Sequence, residues 1–165
     1  MKAIFLAIFL LPLFIQAQDS CKLKNHTDPY TKLRVLSTGF IPLQGGSLNI
    51  DATKPEIDLL FSLNVVNKCF TDASTAAIYF VGTKAKQTQR NNGTMNCEGL
   101  FHFIFRNQST PQVLLRKMAT TRIEKIVFVG NGKTETTITF TPEQQDAVMT
   151  LTNCIITQAP SLLQQ

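Results

Sequence analysis

The stretch LFHFIFR, residues 100–106, constrains the chain more than any other, because phenylalanine recurs there at every second position. Period-two alternation is the signature of a strand with one face buried. Phe101, Phe103 and Phe105 therefore face one way, and Leu100, His102, Ile104 and Arg106 the other. Burying an aromatic or large aliphatic side chain contributes about 1.5 to 3 kcal/mol, so the phenylalanine face is expected to point into a core between layers. His102, on the opposite face, is expected to be half-buried with one ring nitrogen hydrogen-bonded. A role as general base is the sharper alternative, with Asp58, Asp72 or Glu98 as carboxylates that could join it.

Alternation recurs along the chain. LRVLSTGFIPL reads as one or two short strands, interrupted at Thr38-Gly39 and at Pro42. GGSLNIDATKPEIDLLFSLNVV reads as strand, turn at Thr53-Lys54-Pro55, strand, and the second strand is apolar on both faces around Leu59, Leu60 and Phe61, which places it inside a sheet. AAIYFVG is a further strand. Asn92-Gly93 suits a two-residue hairpin turn, which would pair a polar edge strand carrying Lys84, Lys86 and Arg90 with residues 100–106. RIEKIVFVGNGKTETTITF reads as a hairpin turning at Asn131-Gly132, with Ile123 opposite Phe140, Lys125 opposite Ile138 and Val127 opposite Thr136.

Two helices follow from start signals. Thr110 as N-cap with Pro111 at the first position opens a short helix through Leu114, Leu115 and Met118. Thr141, Pro142 and Gln144 form a capping box for the last helix, whose Ala147, Leu151, Cys154, Ile155 and Gln158 share a stripe. The expected fold class is α+β, mainly antiparallel β-sheet of about seven to nine strands with two helices, the C-terminal helix packed on the sheet.

MKAIFLAIFLLPLFIQA at the start has one charge, an apolar run and a small residue, Ala17, the layout of a cleaved secretory signal peptide. The run is shorter than the roughly 18 to 20 apolar residues that span a bilayer, and no other stretch is long and apolar enough. Cys21 raises the alternative of a lipid-attached cysteine, against which Gln18, the residue three places upstream, is not apolar. The expected organisation is signal peptide 1–17, extended lead-in 18–31, a single domain 32–158 and a flexible tail 159–165.

Export places four cysteines in an oxidising compartment. Two disulfides are expected, and the pairing Cys69 with Cys97 and Cys21 with Cys154 is preferred over the other connectivities; a free, buried Cys154 on the helix stripe is the competing reading.

Several chemistries are excluded. The formal charge of +5, lowered by one if Lys2 leaves with the leader, is spread out, so no nucleic-acid arm is present. GLFHFIF lacks the basic residues of an RNA-stacking strand. VGNGKT lacks the first glycine of a phosphate loop and is followed by a strand-like segment. His26 and His102 are the only histidines, and without Cys-x-x-Cys or His-x-x-x-His spacing no metal site or cofactor is expected. Asn25, Asn92 and Asn107 head glycosylation sequons.

The Gln16-Ala17-Gln18 leader end, NKCFTDASTAAIYFVGT, MNCEGLFHFIFRN and the segment from Arg122 to Ile156 resemble small exported proteins of Bacteroidota bacteria. The resemblance implies the periplasm or the exterior as compartment and carries no mechanism. The function expected is a non-enzymatic exported binding or interaction module with a protein or envelope-surface partner. A hydrolase with an unrecognised site and an envelope-associated structural protein assembling through sheet edges are the alternatives.

Overall fold

The structure is a computed structural model that describes residues 21–66 and 68–164. The expected signal peptide lies outside the described residues. Among the described residues, nine strands form two antiparallel sheets. The first has the order β1-β2-β3-β4-β7, built from Lys24–Thr27, Arg34–Leu43, Gly46–Ala52, Glu56–Leu63 and Leu100–Arg106. The second has the order β6-β5-β8-β9, built from Gln87–Arg90, Thr75–Phe80, Ile123–Val129 and Glu135–Thr139. Two helices among the described residues complete the α+β fold, α1 (Val113–Thr120) and α2 (Pro142–Gln158), and α2 packs on α1, on β2 and β3 of the first sheet and on β8 of the second.

The phenylalanines of β7 do face inward: Phe101 and Phe103 are fully buried and Phe105 nearly so. Phe103 meets Phe61 of β4, and Phe101 and Phe103 meet Phe128 of β8, so rings from both sheets share one core. The Phe61–Phe128 and Phe101–Phe128 centroids are 5.3 and 5.1 Å apart, the tilted and edge-on geometry that aromatic quadrupoles favour.

Both preferred disulfides are present, Cys21–Cys154 and Cys69–Cys97, and no described cysteine is free. This sulfur chemistry suits an oxidising, exported environment. Among the described residues no helix is long and apolar enough to cross a membrane.

The capping box of α2 forms as expected: the Thr141 hydroxyl accepts from the Gln144 N–H, and the Gln144 side chain accepts from the Thr141 N–H. Its buried stripe centres on Val148, Thr152, Cys154 and Ile155, so Ala147 and Gln158 lie at the edges of the expected face. The α1 start differs. Gln112 occupies the N-cap with no side-chain cap, so Thr110 and Pro111 precede the helix.

Other differences have local causes. Residues Arg34–Leu43 form one strand, in which Thr38-Gly39 makes a bulge between Ser37 and Phe40, with Gly39 at φ 67°; such a bulge is a common use of glycine's freedom at positive φ. Within the expected lead-in, Lys24–Thr27 pairs with β2 as an edge strand. Residues 159–164, expected as a flexible tail, form a short 3-10 helix with Ala159 and Leu162 in the core.

The closing hairpin is shifted by one residue from its expected register: Lys125 pairs with Thr139, Ile126 with Ile138 and Val127 with Thr137. Asn131–Lys133 forms a 3-10 turn inside a Gly130–Thr134 loop, and the extra loop residue sets the buried Ile126 and Phe128 of β8, rather than Lys125 and Val127, opposite Ile138 and Thr136 of β9. The expected turn at Asn92-Gly93 is absent. The polar segment β6 pairs with β5, and β7 pairs with β4. Asn91 and Asn92 run beside β7 and complete its outer edge: the His102 N–H donates to Asn91 Oδ1 and the Ile104 N–H to Asn92 Oδ1.

Candidate functional site

The outward face of the first sheet carries a row of polar side chains created by strand register. The tight β3–β4 turn pairs Asp51 with Asp58. The β4–β7 pairing sets Leu60 opposite His102 and Asp58 opposite Ile104, so Asp58 and His102 are diagonal neighbours on that face. Their side chains meet, with His102 Nδ1 2.8 Å from Asp58 Oδ2. On the other side, Asn49 Nδ2 donates to Asp51 Oδ2 at 2.8 Å, and the Ser37 hydroxyl donates to Asn49 Oδ1 at 3.3 Å. The row thus crosses four strands, from β2 to β7.

His102 is held on three sides. Its N–H donates to Asn91 Oδ1, its carbonyl accepts from the Asn92 N–H, and Gly93 lies against its ring. A Cβ at position 93 would come within 2.7 Å of the ring, so the glycine is required by close approach. The hydrogen bond to Asp58 raises the His102 pKa above its usual 6.5; burial opposes the rise, and the negative charges of Asp58 and Glu56 add to it.

Asp51 and Asp58 each have one shielded oxygen, Oδ1, without a hydrogen-bond partner among the described residues. Leaving a buried acceptor unanswered is unfavourable, and like charges directly opposite across two strands destabilise the pair. The negative charge of this pair is therefore answered only through Oδ2.

Beside the pair opens a cleft of about 270 Å³, lined by the carboxyl-bearing Asp28, Asp51, Glu56 and Asp58 and by the apolar Leu33 and Val35. Asp28 anchors its own loop, its Oδ1 accepting from the Tyr30 and Thr31 N–H groups and the Thr31 hydroxyl. The bonds from the Thr31 backbone and hydroxyl hold its carboxyl below the ordinary aspartate value.

Of the carboxylates that sequence reasoning associated with His102, the structure brings Asp58 to it. Asp72 and Glu98 lie elsewhere: the Asp72 carbonyl accepts from the Arg90 guanidinium, and both residues are exposed in loops. His26 is exposed on β1. Asp51, Asp28 and Glu56 were not singled out as site residues. The signal for Asp51 was available, because a tight turn between Thr53 and Glu56 fixes Asp51 opposite Asp58.

Among the described residues, no group of three or more His, Cys, Asp or Glu side chains is arranged to hold a metal ion. Of the sequon asparagines, Asn107 is buried, and its Nδ2 donates to the Thr53 and Ala159 carbonyls. Comparison with family models, with curated proteins and with solved structures finds no match to this chain.

Proposed function

We propose that the chain is an exported, non-enzymatic binding module whose ligand carries positive charge and docks in the acidic cleft on the outward face of the first sheet. The observation that carries this reading is the opposed Asp51–Asp58 pair at a concave surface with two more carboxyl groups, in a chain whose overall charge is positive. A cation in the cleft offsets a repulsion that the fold maintains. The volume suits a small organic cation or a single side chain rather than a drug-sized ligand. The leader and the likeness to small exported Bacteroidota proteins support the periplasm or the exterior as its place of action.

The test is amide shift mapping with hexylammonium, against a sodium chloride control of equal ionic strength. Saturable shifts centred on Asp28, Asp51, Glu56 and Asp58 support the reading; shifts equal to those with salt contradict it.

The Asp58–His102 contact favours a second reading, a hydrolase or other proton-transfer enzyme. With Asp58 ionised, Nδ1 carries the proton and donates to it, which orients the ring and leaves Nε2 to act as base. Every described cysteine is in a disulfide, so none of these sulfurs is a nucleophile and the attacking group would be water or a hydroxyl. Turnover of an ester or amide panel that is lost in His102→Gln would favour this reading over simple binding.

A further inference from the structure

A second cleft of about 270 Å³ adjoins the acidic one and has the opposite character, lined by Lys32, Leu33, Arg34, Lys54 and Leu162. The two are built from the same short segments. Along residues 31–35, Thr31 and Val35 line the acidic cleft, Lys32 and Arg34 the basic one, and Leu33 both. At the β3–β4 turn, Thr53 and Pro55 line the acidic cleft and Lys54 the basic one. The basic side chains Lys32, Arg34 and Lys54 thus lie on one side of the rim and the carboxyl-bearing Asp28, Asp51, Glu56 and Asp58 on the other, and Leu33 is the apolar sill between them.

The rim is held firmly. The Asp28 N–H donates to the Leu33 carbonyl at 2.8 Å and the Lys32 N–H to the Asp28 carbonyl at 3.0 Å, closing the loop that presents Lys32. Lys32 sits at φ 60°, a left-handed conformation that a lysine adopts only where its surroundings impose it. Behind the rim, the buried Asn107 donates to the Thr53 and Ala159 carbonyls, and its N–H donates to the Pro55 carbonyl, fixing the β3–β4 turn against the segment that carries Leu162.

We propose that the two clefts are halves of one site for a small dipolar organic ion, its ammonium or guanidinium end beside Asp51 and Asp58 and its carboxylate end beside Lys32 and Arg34, with the intervening methylenes over Leu33. This rests on the cation-binding reading and goes beyond it by naming the ligand's second charge. A cation alone satisfies the acidic cleft and an anion alone the basic one. Only a molecule bearing both charges at a suitable separation complements both sides of the rim.

The test is a set of amide-detected titrations at low ionic strength with hexylamine, hexanoate and a graded series of ω-amino acids from 4-aminobutyrate to 8-aminooctanoate. The proposal expects one chain length in the series to bind about two- to fivefold tighter than hexylamine, the gain given by an added, partly exposed ion pair, with shifts at Lys32 and Arg34 as well as at Asp51 and Asp58. A Lys32→Gln/Arg34→Gln variant should lose that gain and bind hexylamine at least as tightly as the wild type does. If hexylamine binds in the acidic cleft and no ω-amino acid exceeds it, the dipolar assignment is overturned while the cation reading stands. If neither hexylamine nor any ω-amino acid binds, both fail. Binding of hexanoate as tight as that of the best ω-amino acid would also overturn the proposal.

Discussion

Asp51 and Asp58 face each other across the β3–β4 pair, and each keeps one shielded carboxyl oxygen without a hydrogen-bond donor among the described residues. Two like charges in that position are unfavourable for folding, which is the pattern expected where a binding surface is maintained at the expense of stability. Asp51→Asn keeps an oxygen able to accept from Asn49 and removes one charge. It is expected to stabilise the protein by about 0.2 to 1 kcal/mol at neutral pH, read as a higher denaturant midpoint with an unchanged slope, and to weaken hexylammonium binding.

His102 makes stability depend on pH in a defined direction. Its folded pKa is raised above 6.5 by the Asp58 hydrogen bond. The stabilisation from its protonated form is therefore fully present below the unfolded value and is lost as pH rises through the raised folded value. Comparing wild type with His102→Gln by denaturant melts at pH 5.5 and pH 8.5 should give a larger wild-type advantage at the lower pH. An advantage that is equal at both, or larger at pH 8.5, would contradict the Asp58 contact.

The aromatic core sets the largest single-residue effect. Phe103 is fully buried and its ring contacts Phe61, Phe101 and Phe128. Phe103→Ala should cost about 3 to 5 kcal/mol in equilibrium unfolding, through lost transfer energy and the cavity left between the sheets. A loss below about 1 kcal/mol would mean that the ring is not enclosed.

The two disulfides close loops of different length, with sequence separations of 133 and 28 residues. Chain entropy makes the longer closure the stronger, at about 5 against about 3.6 kcal/mol in the ideal limit. Replacing Cys21 and Cys154 together by alanine should therefore lower stability more than replacing Cys69 and Cys97. Titration of the denatured, unreduced protein should find none of these four sulfurs as a free thiol.

Much of this architecture was legible because its signals are local. The alternation in residues 100–106 and the capping box at Thr141 each specify an element through neighbouring atoms and formed as read, and the even cysteine count, a signal from composition, is matched by two disulfides. Pairing partners were harder, since they depend on loop geometry. Asn-Gly pairs signalled two-residue turns at 92–93 and 131–132, but the first asparagine pins the edge of β7 and the second pair sits in a longer 3-10 loop. The site divides the same way. His102 and Asp58 could be named as residues, whereas the acidic cleft needs Asp28 from a loop and Asp51 and Glu56 from two strands. Only the β3–β4 turn hinted at that meeting.

The most direct test of the cation-binding account is the affinity for hexylammonium of an Asp51→Asn/Asp58→Asn double variant, measured at pH 7 and low ionic strength beside the wild type, with the amide spectrum confirming the same fold. The account predicts binding weaker by at least about fivefold, the loss expected on removing two partly exposed charges. Equal affinity in the two folded proteins would contradict it.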